Sequence, residues 1–547
     1  MTFRQMSIAI LTTSMCLGLL PCSAAWGRQS QAQHEHRVEG GLGSVRFDTS
    51  CAPAVQQEFN HGVALLHSFW FSAAVASFTK VLEGDPRCVM AHWGIAMSWW
   101  GNPFAASRTP QGFENGRAAV AAARATGAGT EREQAYVGAA ELLYQDAATR
   151  DQRTRTVAYE RAMGALAGRY PDDVEARILH ALALAQTALP TDKTYANLRQ
   201  AADILEKEFA TQPEHPGLAH YIIHSLDVPA LAPRALVAAR RYAKIAPAAP
   251  HALHMPSHTF TRVGSWQESI DTNLASAEAA RKDNATAEQL HALDYQAYAY
   301  LQLARDSSAK RTVDALAELA PKIHTAGAGN AAPPAAGHYA LAAIPARYAL
   351  ERDAWAEAAS LVAPQTPTAW ADAVTHFARA LGAARLGHVA AARHDLDRLA
   401  ALRDGLTAAG DAYWSQQVEI QHRAATAWVT LAEGRKDDAL SVMREAAAME
   451  DATEKAAVTP GPIKPARELL GDMLLAVERP VEALAEYEAT LKKEPNRYRA
   501  IAGAARAASA AGQATSAATY SRQLVDMTKG ADEPLRPDLV EARRAAR

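Results

Sequence analysis

Four of the nineteen histidines in this 547-residue sequence keep a fixed register. His220 and His224 return as His254 and His258, 34 residues later in each case, and that spacing is the period of a tetratricopeptide (TPR) unit, a pair of antiparallel helices. A helix advances about 100° per residue, so His220, His224 and Asp227 share one face, and His251, His254 and His258 share another. Neutral imidazole nitrogen binds transition ions at about 2.0–2.1 Å. Two HxxxH pairs on adjacent helices therefore predict a transition-metal site for zinc, copper or iron built from His220, His224, His254 and His258. Asp227 is expected either as a further ligand or as the acceptor that orients an imidazole N–H.

Pro256 complicates this arrangement. It has no backbone N–H and disfavours helical dihedrals at Met255, so the segment is expected to break there, which weakens the shared-face argument for His251 and His254. Further histidines recur in the same class of helix. His251, His180, His92 and His67, and His291 with Asp294 and Tyr295, are expected to line a groove as ligand-contacting or polar groups. A lone helical histidine is more often a half-buried hydrogen-bonding residue, so for His180, His338, His376 and His422 taken singly that role is expected.

These residues need elements to hold them. From Ala52 onward the sequence reads as helix, short turn, helix. The clearest units are Val55 to Pro86, with Gly62, Ala74, Phe78 and Pro86 at the repeat's small, small, bulky and stop positions, and Leu470 to Pro495, with Gly471, Ala483, Tyr487 and Pro495. First helices are expected near 53–68, 87–101, 131–146, 172–188, 216–227, 250–263, 285–304, 335–351, 367–387, 411–433, 463–476 and 497–511. Prolines 171, 216, 247, 250 and 334 stand at or near such starts, where the first amides have no helical acceptor. The fold class is thus all-α, a TPR-like solenoid of about twelve helix pairs in a right-handed superhelix. Resemblance to other tetratricopeptide proteins implies that its concave surface is lined by the first helices. Residues 51–330 and 331–530 are expected as two runs of repeats, with a hinge near Gly327–Pro334 and a tail at 531–547.

The N-terminus reads as a secretory signal. Arg4, an apolar stretch over residues 6–20 and small residues at 22–25 suit cleavage near residue 25. Residues 26–50, rich in glutamine, glycine and charge, are expected as a flexible leader. The mature chain is then periplasmic or secreted and without a membrane span. It keeps only Cys51 and Cys88, which export favours as a disulfide. A net charge of −3 gives no electrostatic footprint for nucleic acid. Phosphate-loop, GxSxG, HExxH, CxxCH and CxxC motifs do not occur in the mature sequence.

Beyond the repeat, the chain resembles exported bacterial TPR-like proteins. The resemblance rests on His67-Ser68-Phe69-Trp70, on His92 to Met97, on His220 to Ser225 (HYIIHS), on Ala249 to His258 (APHALHMPSH), and on Val458 to Pro462 with Pro465 to Gly471. It covers nearly the whole mature chain and implies a fold rather than an activity. Where similar proteins read Glu-Lys-His-Pro, this sequence has Glu454-Lys455-Ala456-Ala457, so a histidine contributor is missing if that position belongs to a site.

Three functions stay open at this point. The favoured one is a repeat protein that binds a partner or small ligand in a histidine-lined groove, with the transition-metal site described. The second is an interaction scaffold that grips a protein or peptide, its histidines serving only as hydrogen-bonding groups. The third is a metal-dependent enzyme using a histidine or Asp227 as base. No catalytic residue is assigned, and a non-enzymatic role is the leading expectation.

Overall fold

The computed structural model describes residues 40–104, 109–323 and 331–546. The expected signal sequence, the first part of the leader, His324 and the first half of the expected hinge lie outside them.

Among the described residues twelve helix pairs follow one another. They begin with α1 (Gln56–His67) and α2 (Phe71–Gly84), α3 (Val89–Trp100) and α4 (Pro110–Ala125), and α5 (Glu131–Tyr144) and α6 (Gln152–Arg169). Next come α7 (Val174–Thr187) with α8 (Ala196–Thr211) and α9 (Pro216–Ser225) with α10 (Leu236–Ile245). The sixth pair has a broken first helix, α11 (Pro250–His254) and α12 (Pro256–Arg262), packed on α13 (Trp266–Lys282). The array continues with α14 (Thr286–Gln302) and α15 (Asp306–Leu319), α16 (Pro334–Leu350) and α17 (Trp355–Ala359), and α18 (Ala369–Arg385) and α19 (Val389–Ala408). It ends with α20 (Ala412–Ala432) and α21 (Lys436–Asp451), α22 (Ala466–Ala476) and α23 (Pro480–Lys493), α24 (Tyr498–Ala510) and α25 (Ala514–Met527), and a last helix, α26 (Pro537–Ala545). The chain is an all-α, TPR-like helical-repeat solenoid.

The repeat signature explains how the pairs stack. Phe78 of α2 lies between Gly62 of α1 and Gly94 of α3: a methyl group at either glycine would sit 2.8 Å or 2.4 Å from its ring. Tyr487 of α23 is wedged in the same way between Gly471 and Gly503, at 2.9 and 2.3 Å. One aromatic ring therefore pins two successive first helices, and only glycine lets their backbones come that close. Prolines 216, 250, 256 and 334 each open a helix, as their missing N–H permits. Cys51 and Cys88 form a disulfide that joins the starts of the first two pairs.

One expectation changes, and two segments gain detail. The later part of the leader is structured: Leu42, Val45 and Phe47 are buried, and Phe47 packs against Phe59, Trp93 and Tyr136. Its apolar residues are too few and too irregular to show a period, yet they complete the core of the first pairs. The tail contains α26, docked through buried Leu539 and an Asp538–Arg499 ion pair of 2.8 Å. The array also runs on past residue 330, since α14 packs directly on α16.

The solenoid is coiled tightly enough that distant repeats touch. α1 packs on α9 and α14 on α24, and Arg497, just before α24, joins Glu351 at 2.6 Å and the Tyr298 hydroxyl at 2.9 Å. Residues 452–465, between α21 and α22, form a strap along the inner wall. Lys193 donates to the Thr453 carbonyl, Tyr295 to the carbonyls of Ala457 and Thr459, and Arg347 to those of Gly461 and Pro462. Among the described residues no helix is long and apolar enough to cross a membrane.

Candidate metal centre

Three neighbouring first helices carry six histidines into one interior region: His220 and His224 on α9, His251, His254 and His258 on the broken α11–α12, and His291 on α14. All six are between 0% and 8% exposed, so they lie in the closed interior of the array. They form two trios, His220/His224/His251 and His254/His258/His291, and within each trio one nitrogen per ring lies within 4.8 Å of the others. The trios abut, with ring centroids 6.0 Å apart for His251 and His254 and 6.1 Å apart for His224 and His258.

The predicted quartet is therefore divided, each HxxxH pair being completed by a residue expected only as a groove contact, His251 or His291. The break at Pro256 does occur, and His254 and His258 still face each other across it. Their Nε2 atoms are 3.1 Å apart.

Hydrogen bonding at the far side of each ring decides which nitrogen is free. The Asn273 amide nitrogen donates to the Ser269 carbonyl at 2.7 Å, which turns its oxygen toward His254 Nδ1, also at 2.7 Å. An oxygen acceptor requires Nδ1 to be the protonated nitrogen. His258 Nδ1 lies 2.9 Å from Asp227 Oδ2 and donates likewise. Both Nε2 atoms in the 3.1 Å contact consequently present lone pairs to each other. His220 Nδ1 donates to the His67 carbonyl at 2.6 Å, and among the described residues its Nε2 has no hydrogen-bond partner. His224 Nε2, both nitrogens of His251 and His291 Nδ1 also lack one. Buried polar atoms are nearly always satisfied, so this concentration of orphaned imidazole nitrogens is unusual.

The surroundings keep the rings neutral. Burial, and next to it the neighbouring imidazoles, pushes His224, His251 and His254 well below the ordinary value, and His220 and His291 to about 3. Aromatic side chains form the walls. Phe104 stacks on His224 at 4.2 Å between centroids, Phe69 lies edge-on to His220 at 4.3 Å, and Tyr295 packs against His254 at 4.8 Å.

Asp227 lies beside His258, 2.9 Å from its Nδ1. Its carboxylate accepts from His258 Nδ1, from Arg262 Nε at 2.8 Å and from Lys455 Nζ at 3.0 Å. Burial alone would raise its pKa, but Lys455 and Arg262 outweigh that and hold it well below the carboxylate range. In the same contact burial lowers Lys455 to about 8. Glu288 backs the other trio: Oε1 accepts from the Ala332 N–H at 2.7 Å, Oε2 lies 4.0 Å from His251 Nδ1, and burial raises the carboxyl to about 7.

The remaining candidates are elsewhere. His67 belongs to a third grouping with Glu175 and His215, where Glu175 joins His67 Nε2 at 2.9 Å and His215 Nε2 at 3.0 Å. His67 Nδ1 meets the Tyr221 hydroxyl, and His215 Nδ1 accepts from the Leu218 N–H that opens α9. Every ring nitrogen there is used, as a structural clamp requires. His180 pairs with Glu160 at 3.1 Å, and half-buried His92 belongs to none of the groupings. Asp294 pairs with Arg347 at 3.0 Å and so helps anchor the strap instead of the trios. Tyr295 does reach the centre, its hydroxyl 3.3 Å from His258 Nε2. Sequence reasoning missed Lys455, Arg262 and Glu288, because each acts across repeats. The one available signal was that Lys455 precedes the Val458–Pro462 motif.

No protein-family model matches the chain, and no curated protein sequence matches it. Among solved structures it is similar to yeast Tom70, at 12% identity and a TM-score of 0.27, over 90% of this chain and 88% of that one. The TPR domain of P58(IPK) aligns at 13% identity and a TM-score of 0.20, over 90% and 98%. Human IFIT1 with m7Gppp-AAAA aligns at 11% identity and a TM-score of 0.36, over 80% and 90%.

Proposed function

We propose that this chain is a metal-binding repeat protein whose six inward histidines hold transition-metal ions in a chamber closed by the strap. The observation that carries this reading is the 3.1 Å approach of His254 Nε2 and His258 Nε2, each with its proton already committed at Nδ1. Two facing lone pairs repel. A shared proton would make one ring an imidazolium, which burial disfavours at both. A cation between them removes the conflict, and the 3.1 Å edge suits two ligands about 2.0–2.1 Å from one ion at an angle near 100°. The imidazole donors point to zinc, copper or iron over magnesium or calcium.

A TPR-like scaffold also fits a role in protein interaction. Beside the histidines, however, the inner wall is occupied by residues 452–465 of the chain itself, so a partner would meet other surfaces of the array. Elemental analysis of the purified protein beside a variant with His220, His224, His254 and His258 all changed to Ala tests the proposal. Stoichiometric metal lost in the variant is expected. Equal, substoichiometric metal in both would overturn it. His215→Ala, in the satisfied clamp, should keep its metal.

A further inference from the structure

The trios differ from most protein metal sites in having no anionic donor, and this bears on which ion they take and how many. Each offers three imidazole nitrogens. Of the nearby carboxylates, Asp227 is spent on His258, Arg262 and Lys455, and Glu288 accepts the Ala332 N–H through Oε1 while its Oε2 stands 4.0 Å from His251 Nδ1. Two divalent ions would bring four positive charges into an interior walled by Phe69 and Phe104, where Lys455 and Arg262 already stand against Asp227 and Glu454 and the Glu288 carboxyl lies 4.0 Å from His251. Coulomb repulsion scales with the product of the charges, so two monovalent ions repel about fourfold less at the same separation. Desolvation falls in the same direction, because burying uncompensated charge is costly.

Copper is the imidazole-seeking metal with a stable monovalent state. Its closed-shell cuprous ion is stable with three ligands, whereas zinc seeks a fourth. Resting on the metal-binding reading above, we propose that each trio binds one copper(I) ion, so that the chain carries a pair of cuprous ions side by side. His220, His224 and His251 hold one, and His254, His258 and His291 the other. The anchored Nδ1–H groups of His220, His254 and His258 fix Nε2 as the coordinating atom in those rings.

The test is an anaerobic titration of the full chain with copper(I) against a colorimetric cuprous chelator. Uptake of two equivalents is expected, one per trio. The triple variant H220A/H224A/H251A should lose one equivalent and keep the other, and H254A/H258A/H291A should do the converse. Copper K-edge absorption of the loaded native protein provides a readout that needs no folded variant, with three nitrogen neighbours per copper expected. A single equivalent in the native protein, four or more neighbours per copper, or zinc(II) filling both trios against equimolar copper(I) would overturn the cuprous pair while leaving a metal site. Failure to bind any of copper, zinc or iron would overturn the metal-binding reading as well.

Discussion

Lys455, on the strap, and Asp227, just beyond α9, form a buried ion pair of 3.0 Å across more than two hundred residues of sequence. The same carboxylate holds His258 and Arg262, so the chamber's wall and its cover are fastened at one side chain.

Removing that carboxylate should cost more than removing the lysine. Asp227→Ala strands Lys455 and Arg262 as buried charges, with an expected loss of about 3–5 kcal/mol. Lys455→Met leaves Asp227 paired with Arg262 and should cost about 1–3 kcal/mol. Thermal midpoints of the two variants check the order, and a reversed order would mean that the strap is not fastened through Asp227.

Acid should destabilise the metal-free protein earlier than its carboxylates would. The six buried histidines have folded-state values below the ordinary 6.5. Between that value and the lowered one the unfolded chain binds protons that the folded chain does not, so stability is full above about pH 6.5 and falls as pH drops. Each histidine contributes about 1.4 kcal/mol per pH unit within its window, which for His220 and His291 extends to about 3. Urea midpoints of the metal-free protein at pH 7 and pH 5 measure this, and equal midpoints would mean that the rings are solvated.

The disulfide should matter for the first repeats. Cys51 and Cys88 close a loop with a sequence separation of 37, for which chain entropy gives about 3–4 kcal/mol. Cys51→Ser/Cys88→Ser should lower the denaturation midpoint of α1 to α3, followed by hydrogen exchange at their amides. Unchanged protection there would count against it.

Phe78 should tolerate neither loss nor crowding. Phe78→Ala opens a cavity between α1 and α3 at an expected cost of about 3–5 kcal/mol. Gly94→Ala drives a methyl group to 2.4 Å from the Phe78 ring and should cost about 1–3 kcal/mol. Chemical denaturation of both variants measures this. A neutral Gly94→Ala would show that the pairs can slide apart.

The sequence by itself determined the repeats, the helix starts at prolines 216, 250 and 334, the break at Pro256 and the recurrence of HxxxH in successive first helices. These are legible because helical period, proline stereochemistry and the glycine–aromatic pattern act over a few residues, and a repeat states them many times. Tertiary structure alone decided that the quartet divides, that His251 and His291 complete the trios, and that Asp227 orients His258 rather than standing free. It also decided that residues 452–465 close the chamber and that His67, for all its motif, serves a clamp with Glu175. The reason is curvature. Small rotations between successive pairs add up until α1 meets α9 and the strap meets α14, and no local spacing records that sum.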